Sequence, residues 1–369
     1  RTGPVGIGII GAGVISGTYL DNLTSFPDVH VHAIGDLVPA AAAARATEHG
    51  ISTHGGIAAV LDHDDVEIVI NLTIPAAHVE VSLAAIAAGK HVWSEKPVAL
   101  DREGGQHLLA AATTAGVRLG CAPDTFLGAG LQAALAVLHR GDIGTPLSAL
   151  TLMQSPGPES WHPNPAFLFA PGAGPLFDVG PYYLTTLVQA FGPISQVAAL
   201  SGTARTHRTI GSGPRAGEVF EVGVPTHVAA LARFAGGASS SSVFSFDSPL
   251  PRHGFVEITG TEATLALPDP NTFDGQVRIR RAGTSREQDW ETIASTTAVS
   301  TRGTGVLEMA RAIRAGRAHR VQGALAHHVV DAMVSIIESA QTGQFVPVSS
   351  TVTPAELLPQ DWDPTTRTV

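Results

Sequence analysis

The chain has 369 residues, of which 44% are hydrophobic and 15% are charged, and it carries a formal net charge of −10. Its length fits two domains, and its composition is typical of a globular protein and excludes a disordered or fibrous chain. The negative charge disfavours nucleic acids and anionic membrane surfaces as partners, because both require clustered Lys and Arg side chains.

The first third of the chain alternates short β-rich runs with Ala-rich helical runs. Strands are predicted at residues 5–10, 29–36, 68–72, 91–94 and 117–122. Helices are predicted between them, at residues 14–23, 39–49, 76–88 and 102–114, and Asp101 is the expected N-cap of the last one. Such βαβ alternation predicts a parallel sheet covered on both faces, and hence an α/β domain over residues 1–122.

Beyond residue 122 the pattern changes to β-rich runs with few helices between them. Strands are predicted at residues 147–152, 197–200, 228–234, 241–246, 256–259 and 277–281. Helices are predicted at residues 131–140, 306–315 and 325–340, and residues 359–369 are predicted to form a tail. The pattern predicts a C-terminal α/β domain, residues 123–369, with a large, mainly antiparallel open sheet.

A glycine-rich turn joins the first predicted strand to the first predicted helix. Gly11 and Gly13 stand where a tight turn lets backbone amides approach a pyrophosphate. Val14 and Ile15 open the helix, whose N-terminus favours the phosphates. Ser16 takes the third position of the motif, where a small residue is needed. The alternative is an ordinary tight turn, because Gly-x-Gly alone is a weak signal.

Asp36, at the end of the second predicted strand, makes the dinucleotide interpretation more specific. An acidic side chain at this spacing hydrogen-bonds the adenosine ribose hydroxyls, and it would repel the 2′-phosphate of NADP. Residues 37–39 offer no Arg, Ser or Thr to such a phosphate, and Arg45 is a more distant cation. The sequence therefore predicts NAD as the cofactor, and a simple turn residue is the alternative for Asp36.

Lysine is almost absent from the chain, since Lys90 and Lys96 are the only two. Lys96 follows the fourth predicted strand within Glu95-Lys96-Pro97. Ligands of open parallel sheets bind at this carboxyl edge of the strands. We therefore expect Lys96 to lie in the active site, and the alternative is a surface lysine before a proline turn.

Taken in order, these motifs resemble those of the Gfo/Idh/MocA family of oxidoreductases. The matching elements are Gly11-x-Gly13, Asp36, Thr73-Ile74-Pro75 with His78, Gly89-Lys90-His91-Val92, Glu95-Lys96-Pro97, Gly141-Asp142-Ile143-Gly144 and Gly172-x-Gly174-Pro175-Leu176-x-Asp178-x-Gly180. The resemblance implies hydride exchange between NAD(P) and a hydroxyl-bearing carbon of a sugar or cyclitol. It also implies that residues 1–122 form a Rossmann domain that binds NAD. The α/β domain that follows would have an open sheet that mediates oligomerisation, here as a homodimer or homotetramer.

The resemblance also assigns residues to the cofactor. The expected cofactor-binding residues are Gly11, Gly13, Val14, Ile15, Asp36, Leu72, Thr73, Pro75, His78, Glu95, Lys96, Pro97 and Asp124. Asp124 is placed by its position at the crossover between the domains, after Pro123, and it is expected to reach either the nicotinamide or the substrate.

The family commonly has His four residues after the position of Asp178, and this chain has Tyr182 there instead. In this respect the chain resembles the branch of the family that contains glucose-fructose oxidoreductase, xylose dehydrogenases and dimeric dihydrodiol dehydrogenases. In that branch a Tyr serves as the acid/base. We expect Asp178 to cap a helix and to share one face of it with Tyr182. Tyr182 would take the substrate proton, its pKa lowered by the Lys96 cation, and Lys96 would donate to the developing alkoxide. The alternative for Tyr182 is a packing aromatic.

Trp161 and His162, in a Pro-rich loop, are expected to bind substrate together with Lys96, Asp178 and Tyr182. Trp161 offers an apolar face to the C–H side of a sugar ring, and His162 offers a hydrogen bond to a hydroxyl. The alternative is a packed lid that does not touch the substrate.

Metal chemistry and secretion are not expected. The 16 histidines include no His-Glu-x-x-His or comparable spacing, so no catalytic metal is predicted. Cys121 is the only cysteine, which excludes an internal disulfide and favours a reducing compartment. Without a signal-like segment before residue 5 or an apolar stretch long enough to span a bilayer, the expected location is the cytoplasm.

Three functions remain open at this stage. The first is an NAD(H)-dependent dehydrogenase or reductase acting on a small polyhydroxylated ring. The second retains NAD and recycles it, so that glycosidic cleavage or epimerisation proceeds through a keto intermediate. The third is a non-catalytic regulator that binds a dinucleotide, and the presence of Lys96, Asp178 and Tyr182 disfavours it.

Overall fold

The computed structural model describes residues 2–283, 290–294 and 299–369. The chain forms two compact units. The first unit comprises Arg1–Gly128, Thr297–Val330 and Leu358–Val369, and the second comprises Ala129–Thr296 and Asp331–Leu357. The division into domains 1–122 and 123–369 stays a prediction. The two compact units are grouped differently, because residues 297–330 and 358–369 belong to the first unit.

The first unit contains a parallel six-stranded sheet, as the βαβ alternation predicts. Its strands are β1 (Val5–Ile10), β2 (Val29–Gly35), β3 (Thr53–Gly55), β4 (Ile68–Asn71), β5 (His91–Ser94) and β6 (Leu119–Cys121). The strand order is β3-β2-β1-β4-β5-β6, so the direction of winding reverses between β1 and β4. Open α/β sheets bind ligands at the carboxyl ends of the strands beside such a reversal.

The second unit contains the large, mainly antiparallel sheet that the sequence predicts. The remaining strands are β7 (Pro146–Gln154), β8 (Ile194–Gly202), β9 (His207–Thr209), β10 (Val219–Glu221), β11 (His227–Phe234), β12 (Ser239–Ser245), β13 (Arg252–Gly260), β14 (Ala263–Leu267), β15 (Val277–Arg281), β16 (Glu291–Ile293) and β17 (Val346–Pro347). The sheet order is β16-β15-β14-β13-β7-β12-β11-β8-β17. Within the described strands, β7 and β12 form its one parallel pair, and β9 and β10 form a separate hairpin.

The helices lie at the following positions in the described chain: α1 (Val14–Leu23), α2 (Pro39–His49), α3 (Ala58–Leu61), α4 (His78–Ala87), α5 (Arg102–Ala115), α6 (Ala129–Arg140), α7 (Gly174–Phe191), α8 (Thr304–Arg314) and α9 (Gly323–Thr342). As predicted, Asp101 caps α5, and its carboxylate accepts from the Gly104 amide at 2.7 Å. None of the helices described is long and apolar enough to cross a membrane.

The expectation that Asp178 caps a helix is wrong. The N-cap of α7 is Ala173, and Asp178 lies inside the helix. The helix begins earlier because Pro175 occupies its first turn, where a residue without an amide hydrogen leaves no donor unpaired. The prediction that Asp178 and Tyr182 share a helical face is unaffected, since both lie on α7 at a spacing of four residues.

The predicted tail at residues 359–369 contains no helix or strand, and it packs on the first unit. Buried Asp28 accepts hydrogen bonds from the Arg311 guanidinium at 2.8 Å and from the Thr368 amide at 2.9 Å. The Arg311 guanidinium also lies 4.6 Å from the centre of the Trp362 ring. Burial raises the pKa of Asp28, but these hydrogen bonds outweigh it and hold the pKa below its ordinary value. The last residues therefore supply partners for a buried carboxylate.

Candidate active site

The glycine turn between β1 and α1 requires glycine at its first position and leaves open space at its second. Gly11 has a φ of +108°, and a Cβ there would lie 2.6 Å from the Leu72 carbonyl. Only glycine therefore fits at this point, where two strand ends approach each other. A Cβ on Gly13, in contrast, would meet no atom within 4 Å, so the space above this backbone is open. Ser16 is buried, and its hydroxyl donates to the Gly13 carbonyl at 2.6 Å.

Asp36 lies beside this turn. One carboxylate oxygen accepts from the Ala12 amide at 2.7 Å, and the other accepts from the Val38 amide at 2.8 Å. The two bonds fix the side chain between the turn after β1 and the loop after β2. A carboxylate oxygen has two lone pairs, so each can accept a further hydroxyl. Arg45 lies beside the same turn: one terminal nitrogen donates to Glu48 at 2.8 Å and the other to the Gly13 carbonyl at 3.5 Å.

Exposed apolar side chains follow three of the strands at the same sheet edge. Val14 is 92% exposed, Leu37 is 88% exposed and Ile74 is 67% exposed. They flank the Gly11-x-Gly13 turn, Asp36 and the loop after β4 in the sequence. The open glycine turn fits the pyrophosphate of a dinucleotide, and the fixed carboxylate of Asp36 fits the ribose. The exposed apolar side chains fit the base.

The loop after β4 is organised by Asn71, a residue that the sequence analysis missed. Asn71 is fully buried, and its carbonyl oxygen accepts from the Thr73 hydroxyl at 2.6 Å. Its amide nitrogen donates to the His78 carbonyl and to the Ser82 hydroxyl, each at 3.0 Å. The available signal was an Asn that ends an otherwise apolar strand, because a buried amide at such a place must find partners.

His78 connects this loop to the segment that carries Lys96. One ring nitrogen lies 2.6 Å from the Pro97 carbonyl and the other lies 3.0 Å from the Thr73 carbonyl. The residue is buried, and burial lowers its pKa although both carbonyls act to raise it. The contacts that the structure gives His78 therefore hold two loops together, and its predicted contact with the cofactor stays a prediction.

A buried tyrosine fixes Glu95, and Glu95 in turn contacts the backbone of Lys96. The Tyr19 hydroxyl donates to Glu95 at 2.9 Å and accepts from the Trp93 indole at 3.1 Å. Burial and the Glu95 carboxylate raise the pKa of Tyr19 well above its ordinary value, so the hydroxyl stays a donor. Glu95 in turn accepts from the Lys96 amide at 3.1 Å. Tyr19 was not predicted as a site residue, because it belongs to no recognisable motif in α1.

Asp124 occupies a buried position in the first unit. Its carboxylate accepts from the Gly303 amide at 3.2 Å and the Gly305 amide at 3.0 Å, and it pairs with Arg302 at 3.3 Å. Burial raises its pKa, and Arg302 acts to lower it. These contacts fix the start of α8, so the role of Asp124 that the structure shows is structural. The predicted contact of Asp124 with the cofactor stays a prediction.

In the second unit, α7 carries the other predicted catalytic residues. Asp178 is half-buried, and Tyr182 is 7% exposed. The neighbouring Tyr183 is 1% exposed and belongs to the core. Its hydroxyl accepts a hydrogen bond from the Gly254 amide at 2.8 Å. The two adjacent tyrosines therefore lie on different sides of α7, as expected from the helical geometry.

The loop predicted to bind substrate presents aromatic side chains. Trp161 is 68% exposed, and its ring centre lies 5.5 Å from that of His162. The His162 ring lies 5.5 Å from the ring of Phe167, which is 45% exposed. Offset and edge-on contacts at this distance are favourable. The loop thus forms an exposed aromatic edge, and both the predicted contact with substrate and the alternative of a packed lid stay predictions.

The structure brings together, at one sheet edge of the first unit, the glycine turn, Asp36, Thr73, Glu95 and Lys96. In the second unit it places Asp178 and Tyr182 on one helix. Within the described residues, no group of three His, Cys, Asp or Glu side chains could hold a metal ion.

Comparison with known proteins gives the chain its family. Residues 5–122 match the model described as "Oxidoreductase family, NAD-binding Rossmann fold" of the Gfo/Idh/MocA family, and residues 131–266 match the model of the "GFO/IDH/MocA C-terminal domain". An inositol 2-dehydrogenase from Ralstonia nicotianae is 34% identical over 149 residues, which are 38% of this chain and 43% of that protein. The alignment thus spans less than half of that relative.

Solved structures resemble the chain over nearly its whole length. An NAD binding oxidoreductase from Klebsiella pneumoniae has a TM-score of 0.82 at 23% identity and covers 94% of this chain and all of its own. A levoglucosan dehydrogenase in complex with NADH and L-sorbose has a TM-score of 0.79 at 21% identity, with 94% of this chain and 99% of its own covered. At these identities the structures support the fold. The two family matches establish that the chain belongs to the Gfo/Idh/MocA family of oxidoreductases.

Proposed function

We propose that the protein is an NAD(H)-dependent dehydrogenase or reductase that acts on a CH–OH group of a sugar, a cyclitol or a similar polyhydroxylated ring. The observation that carries this proposal is the sheet edge of the first unit. There the open glycine turn and Asp36 fit a dinucleotide, and Lys96 follows β5 in a segment fixed by Tyr19 and His78.

Each proposed residue has one task. The glycine turn and Asp36 would hold NAD, which would supply the hydride acceptor for the carbon that bears the hydroxyl. Lys96 donates a hydrogen bond to the oxygen on which negative charge develops. Tyr182 takes the hydroxyl proton, and Asp178 orients the substrate or Lys96. Trp161 and His162 hold the ring of the substrate through an apolar face and a hydrogen bond.

The names of similar proteins support this choice of substrate class. One relative is an inositol 2-dehydrogenase, and one structural neighbour is a levoglucosan dehydrogenase. Both names denote dehydrogenases of polyhydroxylated rings. The exposed aromatic edge at Trp161 agrees with such a ring, because sugars and cyclitols present apolar C–H faces between their hydroxyls.

A substrate panel tests the proposal. We expect NADH fluorescence to rise when the protein is mixed with NAD and one or more members of a panel of sugars and cyclitols, and to rise less with NADP. Substrate conversion without net formation of NADH would instead support the alternative function, in which the enzyme retains and recycles its cofactor. Dinucleotide binding with no conversion of any panel member would favour the non-catalytic regulator.

Removal of the Asp36 carboxylate should weaken NAD binding. We expect Asp36→Ala to cost about 1.5–3 kcal/mol of NAD affinity, since hydrogen bonds to a charged group are lost. We also expect Asp36→Asn to reduce the preference for NAD over NADP, because the repulsion of the 2′-phosphate is removed. Calorimetric titration with both cofactors measures the effects, with the exposed Asp62→Ala as the control. Equal or tighter binding of NADP by the wild-type protein would contradict the role of Asp36.

We further propose that a second copy of the chain covers the exposed face of the large sheet, giving a homodimer or homotetramer. On this face Leu150 is 42% exposed, Leu200 is 74% exposed and Leu231 is 52% exposed. Leu231 lies opposite Ser241, which lies opposite Leu150, so these residues form a row across β11, β12 and β7. These exposed leucines, with Ser241 between two of them and Glu257 opposite Leu150 on β13, form a mixed apolar and polar face of the kind found at interfaces between chains.

A charge in this row should prevent assembly. We expect wild-type protein to be oligomeric and Leu231→Glu to be monomeric when molar mass is measured by light scattering, because an unpaired buried carboxylate is costly at an interface. Leu250→Glu is the matched control, since Leu250 is 55% exposed but lies outside the sheet. A monomeric wild-type protein, or an oligomer that both variants leave intact, would rule out this interface.

A further inference from the structure

Arg208, on the β9–β10 hairpin, is buried among acceptors, and the proposed function does not use it. Its side chain is 1% exposed. One terminal nitrogen donates to the Pro156 carbonyl at 3.0 Å and to Glu159 at 2.5 Å. The other donates to the Phe246 carbonyl at 2.9 Å and to the Asp247 carboxylate. A single guanidinium thus serves two carboxylates and two backbone carbonyls.

These contacts hold both ends of the segment that carries Trp161. We call residues 156–169 the aromatic loop. Arg208 bonds the Pro156 carbonyl at its beginning, and its guanidinium carbon lies 4.9 Å from the centre of the Phe169 ring at its end. The hairpin adds a further contact, because the Gly211 amide donates to the Glu159 carbonyl at 2.7 Å.

The local packing leaves little freedom around this pair of charges. Gly157 has a φ of +111°, and a Cβ there would lie 2.4 Å from an Arg208 nitrogen and 2.2 Å from a Glu159 oxygen. A buried ion pair adds little net stability, because the loss of hydration offsets the attraction of the charges. Such pairs fix a unique arrangement in several known proteins. Here the arrangement that is fixed is that of an exposed loop.

We infer that Arg208 is a positioning residue: it fixes the aromatic loop so that Trp161 and His162 meet the substrate ring, and thereby sets substrate affinity. The contact of the loop with substrate rests on the proposed function. The position of the loop does not, because it follows from the contacts of Arg208. Lysine could not replace Arg208, because an ammonium lacks the planar fork of donors that reaches four acceptors in two directions.

Limited proteolysis with chymotrypsin tests the loop without any ligand or activity. We expect Arg208→Lys to be cut after Trp161 or Phe167 about tenfold faster than wild type, since cleavage follows local opening. Mass spectrometry of the fragments separates these cuts from those of general unfolding. Arg140→Lys is the control, because Arg140 forms an exposed ion pair with Asp142 elsewhere in the second unit.

Glu159→Gln is the second variant, for use if Arg208→Lys does not fold. It removes the loop's carboxylate while Asp247 still balances the charge of Arg208. The same faster cleavage within the aromatic loop is expected. Cleavage of the loop at the wild-type rate in a folded variant would overturn the inference.

A kinetic cycle tests the consequence for substrate. With a substrate from the panel, we expect Arg208→Lys to raise KM about tenfold, with little change in kcat or in NAD affinity. We expect no further rise when the change is combined with Trp161→Ala, because both would remove the same contact. Fully additive effects on KM would overturn the inference. If the wild-type protein converts no panel substrate, the proposed function fails, and the proteolysis still decides whether Arg208 positions the loop.

Discussion

Replacing Lys96 with Met is expected to lower turnover about 10²–10³-fold, the usual cost of one lost donor to a developing negative charge. NAD affinity should remain close to that of the wild type, because the glycine turn and Asp36 are untouched. Stopped-flow measurement of NADH formation, with the NAD dissociation constant measured separately, distinguishes the two quantities.

The segment that carries Lys96 is held at several points, so the loss of the ammonium should not displace it. Glu95, which accepts from the Lys96 amide, receives the hydroxyl of buried Tyr19, and His78 contacts the Pro97 carbonyl. Catalytic groups act efficiently when such supporting contacts fix them before the substrate binds. Removing the ammonium should therefore leave the segment in place and change only the chemistry.

The chain's other lysine is the matched control. Lys90 donates to the carbonyls of His63 and Val66 at 2.9 Å each, so its ammonium secures the backbone of the first unit. Lys90→Met removes the same charge and should reduce thermal stability while leaving turnover per folded molecule unchanged. Normal turnover of Lys96→Met on a verified substrate would remove Lys96 from the active site.

The fold of the first unit could be predicted because its strands and helices alternate with strong periodicity. The predicted bounds of β1, β5, α1 and α2 agree with the structure. β3 (Thr53–Gly55) was missed because three residues of Thr, His and Gly carry neither an apolar run nor an alternation. It pairs with β2 as an edge strand, and that pairing depends on tertiary contacts rather than on local sequence.

The candidate site could be predicted where a motif carries the chemistry, and not where a side chain acts by packing. Gly11, Asp36 and Lys96 stand at positions that the order of strands and motifs marks. Tyr19 and Arg208 are isolated in the sequence, and their partners are distant along the chain. No spacing rule connects such residues, because only the folded chain brings the donor and acceptor together.

Tyr182→Phe is expected to reduce activity by about 10²–10⁴-fold, the typical contribution of general acid–base catalysis. The change removes one hydroxyl and keeps the ring that packs in α7, so fold and NAD affinity should be preserved. Tyr183→Phe is the matched control. It removes the acceptor of the Gly254 amide, which should lower stability by about 1 kcal/mol without a comparable loss of turnover.

The competing proton acceptor is His162, because it lies in the aromatic loop and an imidazole is the commonest general base. Tyr182→Phe and His162→Ala should therefore be compared on one substrate, with kcat and KM measured for each. If Tyr182 takes the proton, the Phe variant loses kcat, while His162→Ala mainly raises KM through the loss of a hydrogen bond to the ring. If the Phe variant keeps wild-type turnover and His162→Ala loses it, the proton is accepted by His162, and the likeness to enzymes with a catalytic tyrosine does not extend to the chemistry of this chain.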